Sequence, residues 1–93
     1  MLRLNEKTWT RGASARDKDG KIVPPSSEKA VRWDIYSALR KSSFDYEHFW
    51  FEIVRMKLLI KSLFNFEGPV WIFNDRAEWQ DVEKLMRKFN GAT

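Results

Sequence analysis

The longest stretch free of Gly and Pro runs from Phe44 to Phe64, and its apolar positions recur at helical spacing. With successive residues about 100° apart, Tyr46, Phe49, Trp50, Ile53, Met56, Ile60 and Phe64 fall on one wide arc interrupted by Lys57. Asp45, His48, Glu52, Arg55 and Ser62 fall on the far side. A second, narrower stripe of Phe51, Val54 and Leu58 lies between Glu47 and Lys61 on one flank and Ser62 on the other. A helix that is apolar in two directions has to bury both, against its own chain or against another. The pattern predicts a long central helix, 44–64, with one face for the core and a second face that a further helix or a partner has to cover.

Two shorter helices flank it. Ser26 or Ser27 can cap the first, with Glu28 in its first turn and Arg40 and Lys41 in its last. Val31, Ile35, Ala38 and Leu39 form one face of this helix, 27–41, with Ala30, Trp33 and Ser37 roughly opposite. Ser43 can then cap the central helix. The last helix, 76–90, is predicted from a stripe of Trp79, Val82, Leu85, Met86 and Phe89, with Asp75 as N-cap, Glu78 three residues on, and Asn90-Gly91 as its end. Between them, after the turn cluster Asn65–Pro69, Val70-Trp71-Ile72-Phe73 reads as a buried extended segment or a short strand, too short for a helix.

Upstream, Asp17-Lys18-Asp19-Gly20 is a turn sequence, across which Ala13–Arg16 and Lys21–Val23 can pair as a small hairpin within the segment 9–25. An isolated hairpin is marginal and must lie against a helix. Pro24-Pro25 ends it. Met1–Thr8 is either a frayed turn or an arm tied down by Leu2 and Leu4. The expected fold is mainly α (α+β): three helices with a small amino-terminal β-hairpin packed on them, as a single domain over 1–93.

Composition adjusts this picture in three ways. Five Trp, seven Phe and two Tyr in 93 residues let a short chain build a core from few, large side chains. The absence of Cys removes disulfides, thiolate metal sites and a cysteine nucleophile. No apolar run has the length of a membrane span, and no signal-peptide pattern opens the sequence, so a soluble, cytoplasmic protein is expected. The net charge of +4 is uneven: residues 1–41 carry ten Lys/Arg against five Asp/Glu, and residues 42–93 carry seven against eight. Such asymmetry fits an acidic or nucleic-acid partner, or a solvated face that keeps the protein soluble, which is the commoner case.

Three landmarks resemble a known family. Trp9-Thr10-Arg11-Gly12-Ala13-Ser14-Ala15-Arg16-Asp17 resembles a W-x-x-G-x-x-A-R-D motif followed by a Gly-containing turn. Ala30-Val31-Arg32-Trp33 and Ser37-Ala38-Leu39 resemble a following helix, A-x-x-W-C-x-x-G-A, and Asn74-Asp75 resembles a closing W-N-D segment. The family is domain of unknown function 6197, a small bacterial and phage-borne group. Asp34 stands in place of its Cys, Ser37 in place of its Gly and Phe73 in place of its Trp, and the aromatic-rich Phe44–Phe66 replaces an Ala- and Leu-rich stretch. The resemblance transfers no site. It implies an intracellular protein often carried by mobile elements, which favours interaction over metabolism.

Candidate chemistry is sparse. Asp45, His48 and Glu52, with Arg55 a turn beyond, could hold a metal or share a proton, but the chain has no second His; a solvated face with an i, i+4 His–Glu pair is the simpler reading. Arg16-Asp17 and Asn74-Asp75 could recognise a ligand or simply tie the hairpin and cap a helix. No phosphate loop, G-x-S-x-G, H-E-x-x-H or zinc spacing is present. The expectation is a non-enzymatic protein-binding module without catalytic residues, metal or cofactor. It would be a phage or mobile-element accessory protein or an inhibitor of a host defence protein, docking a protein partner or a second copy through Phe51, Val54 and Leu58. The alternative is a basic nucleic-acid binder using Arg11, Arg16, Lys18, Lys21, Arg40 and Lys41, with Asp17, Asp19 and Glu28 diluting the patch.

Overall fold

In the computed structural model, which describes residues 2–91, the chain folds as two short strands followed by four helices. The strands β1 (Ala15–Arg16) and β2 (Arg32–Trp33) pair antiparallel, with Ala15 opposite Trp33 and Arg16 opposite Arg32. The helices are α1 (Ile35–Ser42), α2 (Tyr46–Phe64), α3 (Val70–Arg76) and α4 (Trp79–Phe89), about half of the chain. The mainly helical α+β class expected from the pattern holds. The count of three helices does not: there are four.

The hairpin turn forms where Asp17–Gly20 predicts it. The Asp17 carboxylate accepts from the Asp19 and Lys21 backbone N–H groups at 2.9 Å each, and Gly20 sits at φ +82°, a conformation that favours glycine. Its return arm is only a single bridge, Arg16 to Ile22, with Val23 N–H donating to Ala15 O at 3.1 Å. The fuller partner of β1 is β2, which sequence reading placed inside a helix. The helix predicted for 27–41 begins at Ile35 instead. Ser27 Oγ captures the Lys29 N–H at 3.1 Å, which closes a local turn. The backbone of 31–33 is then taken by sheet bonds: Val31 N–H to Arg16 O, Trp33 N–H to Thr8 O, and Thr10 N–H to Trp33 O. Asp34 caps α1, accepting from the Ser37 N–H at 2.7 Å. Val31, assigned to the helix face, is exposed on the strand segment, while Ile35, Ala38 and Leu39 are buried as expected.

The segment Val70–Phe73 is also corrected. It is the first turn of α3, whose buried positions Val70, Phe73 and Asn74 stand at i, i+3 and i+4, with the buried Ala77 as C-cap. The polar Asn74 on that face disguised the period. Asp75 therefore lies inside α3, and Glu78 is the N-cap of α4, its N–H donating to Asp81 Oδ2 at 3.1 Å. The stripe Val82, Leu85, Met86 and Phe89 is buried, and Trp79 is half-buried. α2 is capped by Asp45 rather than Ser43, and Asn65 ends it in the left-handed conformation at φ 54°. The amino-terminal arm is tied down: Leu2 is buried, and its N–H and C=O each bond the Asn90 side chain at 2.9 Å.

One side chain joins these parts. Asn74 is fully buried on α3. Its Oδ1 accepts from Trp9 Nε1 at 2.7 Å and from the Ile35 N–H at 2.9 Å, and its Nδ2 donates to Thr10 O at 3.0 Å and Asp75 Oδ1 at 3.3 Å. The amide thus uses its full capacity to link the arm, the start of α1 and α3. Asn74→Ala would orphan Trp9 Nε1, the Ile35 N–H and Thr10 O, at about 1–3 kcal/mol for each group left unsatisfied. We expect a loss of at least about 3 kcal/mol in urea denaturation; a loss below about 1 kcal/mol would contradict this role.

Candidate protein-interaction face

α2 supplies the core with Phe49, Ile53, Met56 and Ile60, all buried. On a helical projection these four centre on one direction, and Phe51 and Leu58 point almost opposite to it. Phe51 is 74% exposed, Leu58 66%, Val54 56% and Trp50 55%. α4 packs on α2 but leaves this face uncovered, because it meets the flank that carries Glu52 and Arg55. Arg55 Nη1 donates to Phe89 O at 2.7 Å, and its guanidinium lies 3.7 Å from the centre of the Phe89 ring. The stripe Phe51, Val54 and Leu58 is therefore an outer surface of the folded chain.

The face is wider than the sequence reading made it. Tyr46 and Trp50 were assigned to the core arc, yet both are exposed. For Trp50 the signal was present: Lys57 lies between it and the rest of the arc on the projection, and a solvated lysine marks where the buried sector stops; Tyr46 is the first residue of α2, at the open end of the arc. Trp50 packs on Phe49 with ring centres 5.3 Å apart, Phe49 meets Tyr36 edge-on at 5.1 Å, and Tyr36 meets the exposed Trp71 of α3 at 5.4 Å. The Arg40 guanidinium lies 4.1 Å from the centre of the Tyr46 ring. Exposed Trp50 rests on the buried Phe49 and exposed Trp71 on the half-buried Tyr36, which restricts their rotamers before any partner arrives.

The other candidates resolve into structural roles. Asp45 is the α2 N-cap. Glu52 is held by His48 Nε2 at 3.4 Å and by Arg55 Nε and Nη2 at 3.0 and 2.9 Å, and His48 Nδ1 accepts from the Phe44 N–H at 3.4 Å. Among the described residues no group of three His, Asp or Glu is placed to hold a metal ion. Arg16 binds Thr10 Oγ1, Gly20 O and Arg11 O inside its own loop. Gly12 N–H donates to Asp75 Oδ1 at 2.9 Å. The landmarks of the W-x-x-G-x-x-A-R-D stretch thus bond to one another and to Asn74-Asp75.

The six basic residues of the nucleic-acid alternative are not one set. Arg11 Nη1 donates to Ala77 O at 2.7 Å and faces Glu78, and Arg16 is spent in the loop. Lys18 and Lys21 line a depression shared with Asp17, Asp19 and Glu28. Arg40 and Lys41 border a different groove, about 640 Å³, beside Tyr36 and the hydroxyls of Ser14, Ser26, Ser37 and Ser43.

Asp34 has its own consequence. Burial pushes its carboxyl above the ordinary carboxylate value, and Asp75 adds to this, while hydrogen bonds from Ser37 oppose it. The folded chain then holds the proton more tightly than the unfolded one, so stability falls as pH rises from the ordinary aspartate value through the raised one. Asp34→Asn keeps a cap acceptor and carries no charge. We expect it to match or exceed the parent's stability at pH 7 and to flatten the pH dependence below it, whereas Asp34→Ala loses about 1 kcal/mol or more. A second prediction concerns α2. Phe49→Ala should cost about 3–5 kcal/mol, while Phe51→Glu should leave the monomer's thermal midpoint nearly unchanged, as for an exposed site; unfolding of Phe51→Glu would show that the stripe is core.

No family model matches the chain, and no curated protein or solved structure matches it.

Proposed function

We propose that this chain is a non-enzymatic protein-binding module that docks its partner on the outer face of α2. The supporting observation is the continuous exposure of Trp50, Phe51, Val54 and Leu58 on a helix whose opposite face is fully used in the core. Scattered exposed apolar residues need no explanation, but large rings grouped on one helix face are the material of interface centres. An i, i+3, i+7 set such as Phe51, Val54 and Leu58 is the pattern by which one helix anchors against another surface. The resemblance to domain of unknown function 6197 supports a place among accessory proteins of bacteria and their phages, inhibitors of host defence proteins among them. Its motif residues serve the frame; of the departures from it, Asp34, Ser37 and Phe73 lie in the frame and the aromatic-rich Phe44–Phe66 carries the face.

The nucleic-acid reading ranks second because Arg11 and Arg16 are engaged within the fold. Gel-shift titration with single- and double-stranded oligonucleotides at low salt should show no complex. A complex that weakens steeply with salt and is lost on reversing Arg40 and Lys41 would displace the protein-binding reading. For the preferred reading, the immobilised protein should retain a defined protein that the Phe51→Glu variant, equally folded, does not. Equal retention by both forms would refute the α2 face.

A further inference from the structure

Resting on the reading of α2 as the docking face, we propose that its occupant is a second copy of this chain, with the two α2 helices packed antiparallel about a two-fold axis at Val54. The argument is the order of charges along the exposed face. Glu47, Val54 and Lys61 stand at i, i+7 and i+14 on α2, with Trp50 and Phe51 in the first interval and Lys57 and Leu58 in the second. All seven are exposed. In an antiparallel pair about a two-fold axis at Val54, a residue meets the one that lies about as far along the helix on the other side of Val54 and on the same edge of the face. Glu47 then faces Lys61 of the second copy, Trp50 faces Lys57, Phe51 faces Leu58, and Val54 faces itself.

Each of these meetings is complementary. The ends pair opposite charges, Phe51 and Leu58 pair apolar with apolar, and Lys57 can lay its stem and ammonium on the Trp50 ring. A parallel pairing would set Glu47 against Glu47, Lys57 against Lys57 and Lys61 against Lys61, all repulsive. An unrelated partner has no need of a surface whose halves complement each other, but an isologous contact requires it. Among the described residues Glu47 and Lys57 make no ion pair. The Lys61 ammonium meets Asn65 Oδ1 at 3.1 Å and Glu67 Oε1 at 3.0 Å, which leaves one of its three N–H donors for Glu47. Four large rings per dimer, of a type that buries about 150–250 Å² each, supply a substantial part of a standard interface of about 800 Å² per partner. Seams of this heptad spacing pack at interaxial distances of about 8–10 Å.

The test is the oligomeric state of the full chain by light scattering at about 100 µM, a concentration chosen to reveal even micromolar association, with circular dichroism as the check of folding. The wild type should be a dimer, and Phe51→Glu a folded monomer. Glu47→Lys and Lys61→Glu should each weaken the dimer at least about tenfold, because symmetry places the repulsion at both ends. Mixing these two variants should restore a heterodimer, in which both end pairs are again of opposite charge. Since the chain contains no cysteine, Val54→Cys should cross-link to itself on oxidation. Phe51→Cys should not, because its two copies would be offset by about 9 Å along the helices, beyond disulfide reach. A monomeric wild type, a dimer indifferent to these charges, or cross-linking at Phe51→Cys but not Val54→Cys would overturn the proposal. If the wild type is monomeric and still retains another protein that Phe51→Glu loses, the second copy is refuted and the docking face stands.

Discussion

The buried amide of Asn74 is the constraint on which the rest of the structure depends. A polar group at the centre of so small a core is tolerated only when every hydrogen-bonding site is filled. Filling Asn74 takes the indole of Trp9, the carbonyl of Thr10, the first N–H of α1 and the neighbouring Asp75. These groups come from three distant parts of the chain, so one amide dictates how the arm, α1 and α3 are set against each other. In a low-dielectric interior the interactions reinforce one another, and none has a substitute in water. This gives a chain with short, poorly regular strands a defined amino-terminal half.

That half was the least legible part of the sequence. Strands of two residues leave no periodic signal, and the bonds that hold Arg32–Trp33 in β2 come from Thr8, Thr10 and Arg16, far away in sequence. Helical spacing of Val31, Ile35 and Leu39 suggested a helix reaching back to Ser27, yet tertiary hydrogen bonds overrode local propensity. α3 was missed for the opposite reason. Its buried face includes Asn74, and a polar residue on the core side breaks an apolar pattern even where the backbone is helical. The short polar landmarks did locate the region, since Trp9, Gly12 and Arg16 bond to one another's loop or to Asn74-Asp75.

α2 and α4 were legible because packing alone shapes them. The Phe49, Ile53, Met56 and Ile60 face and the Val82, Leu85, Met86 and Phe89 face meet with little polar chemistry between them, and periodicity carries that information directly. Sequence also showed that α2 has a second apolar stripe. It could not show whether α4 would cover it, because that depends on the angle at which α4 docks. The Arg55 bond to Phe89 O and the stacking on its ring place α4 on one flank and leave Phe51, Val54 and Leu58 outside. Trp50 belongs with them, separated from the core by Lys57, and Tyr46 is exposed at the start of the helix. The chain is thus divided between a frame, held by Asn74 and the two-helix core, and a stripe of Phe51, Val54 and Leu58 that lies outside it.

This division is tested most directly by the stability of a variant in which the stripe is made polar: Phe51→Glu, Val54→Lys and Leu58→Gln together. Chemical denaturation at protein concentrations too low for association should give a two-state transition with the parent's unfolding free energy to within about 1 kcal/mol. The slope with denaturant should also be unchanged, since the same core is exposed on unfolding. A variant that is unfolded, or whose unfolding free energy falls by several kcal/mol, would show that these side chains belong to the core and that α2 has no free face.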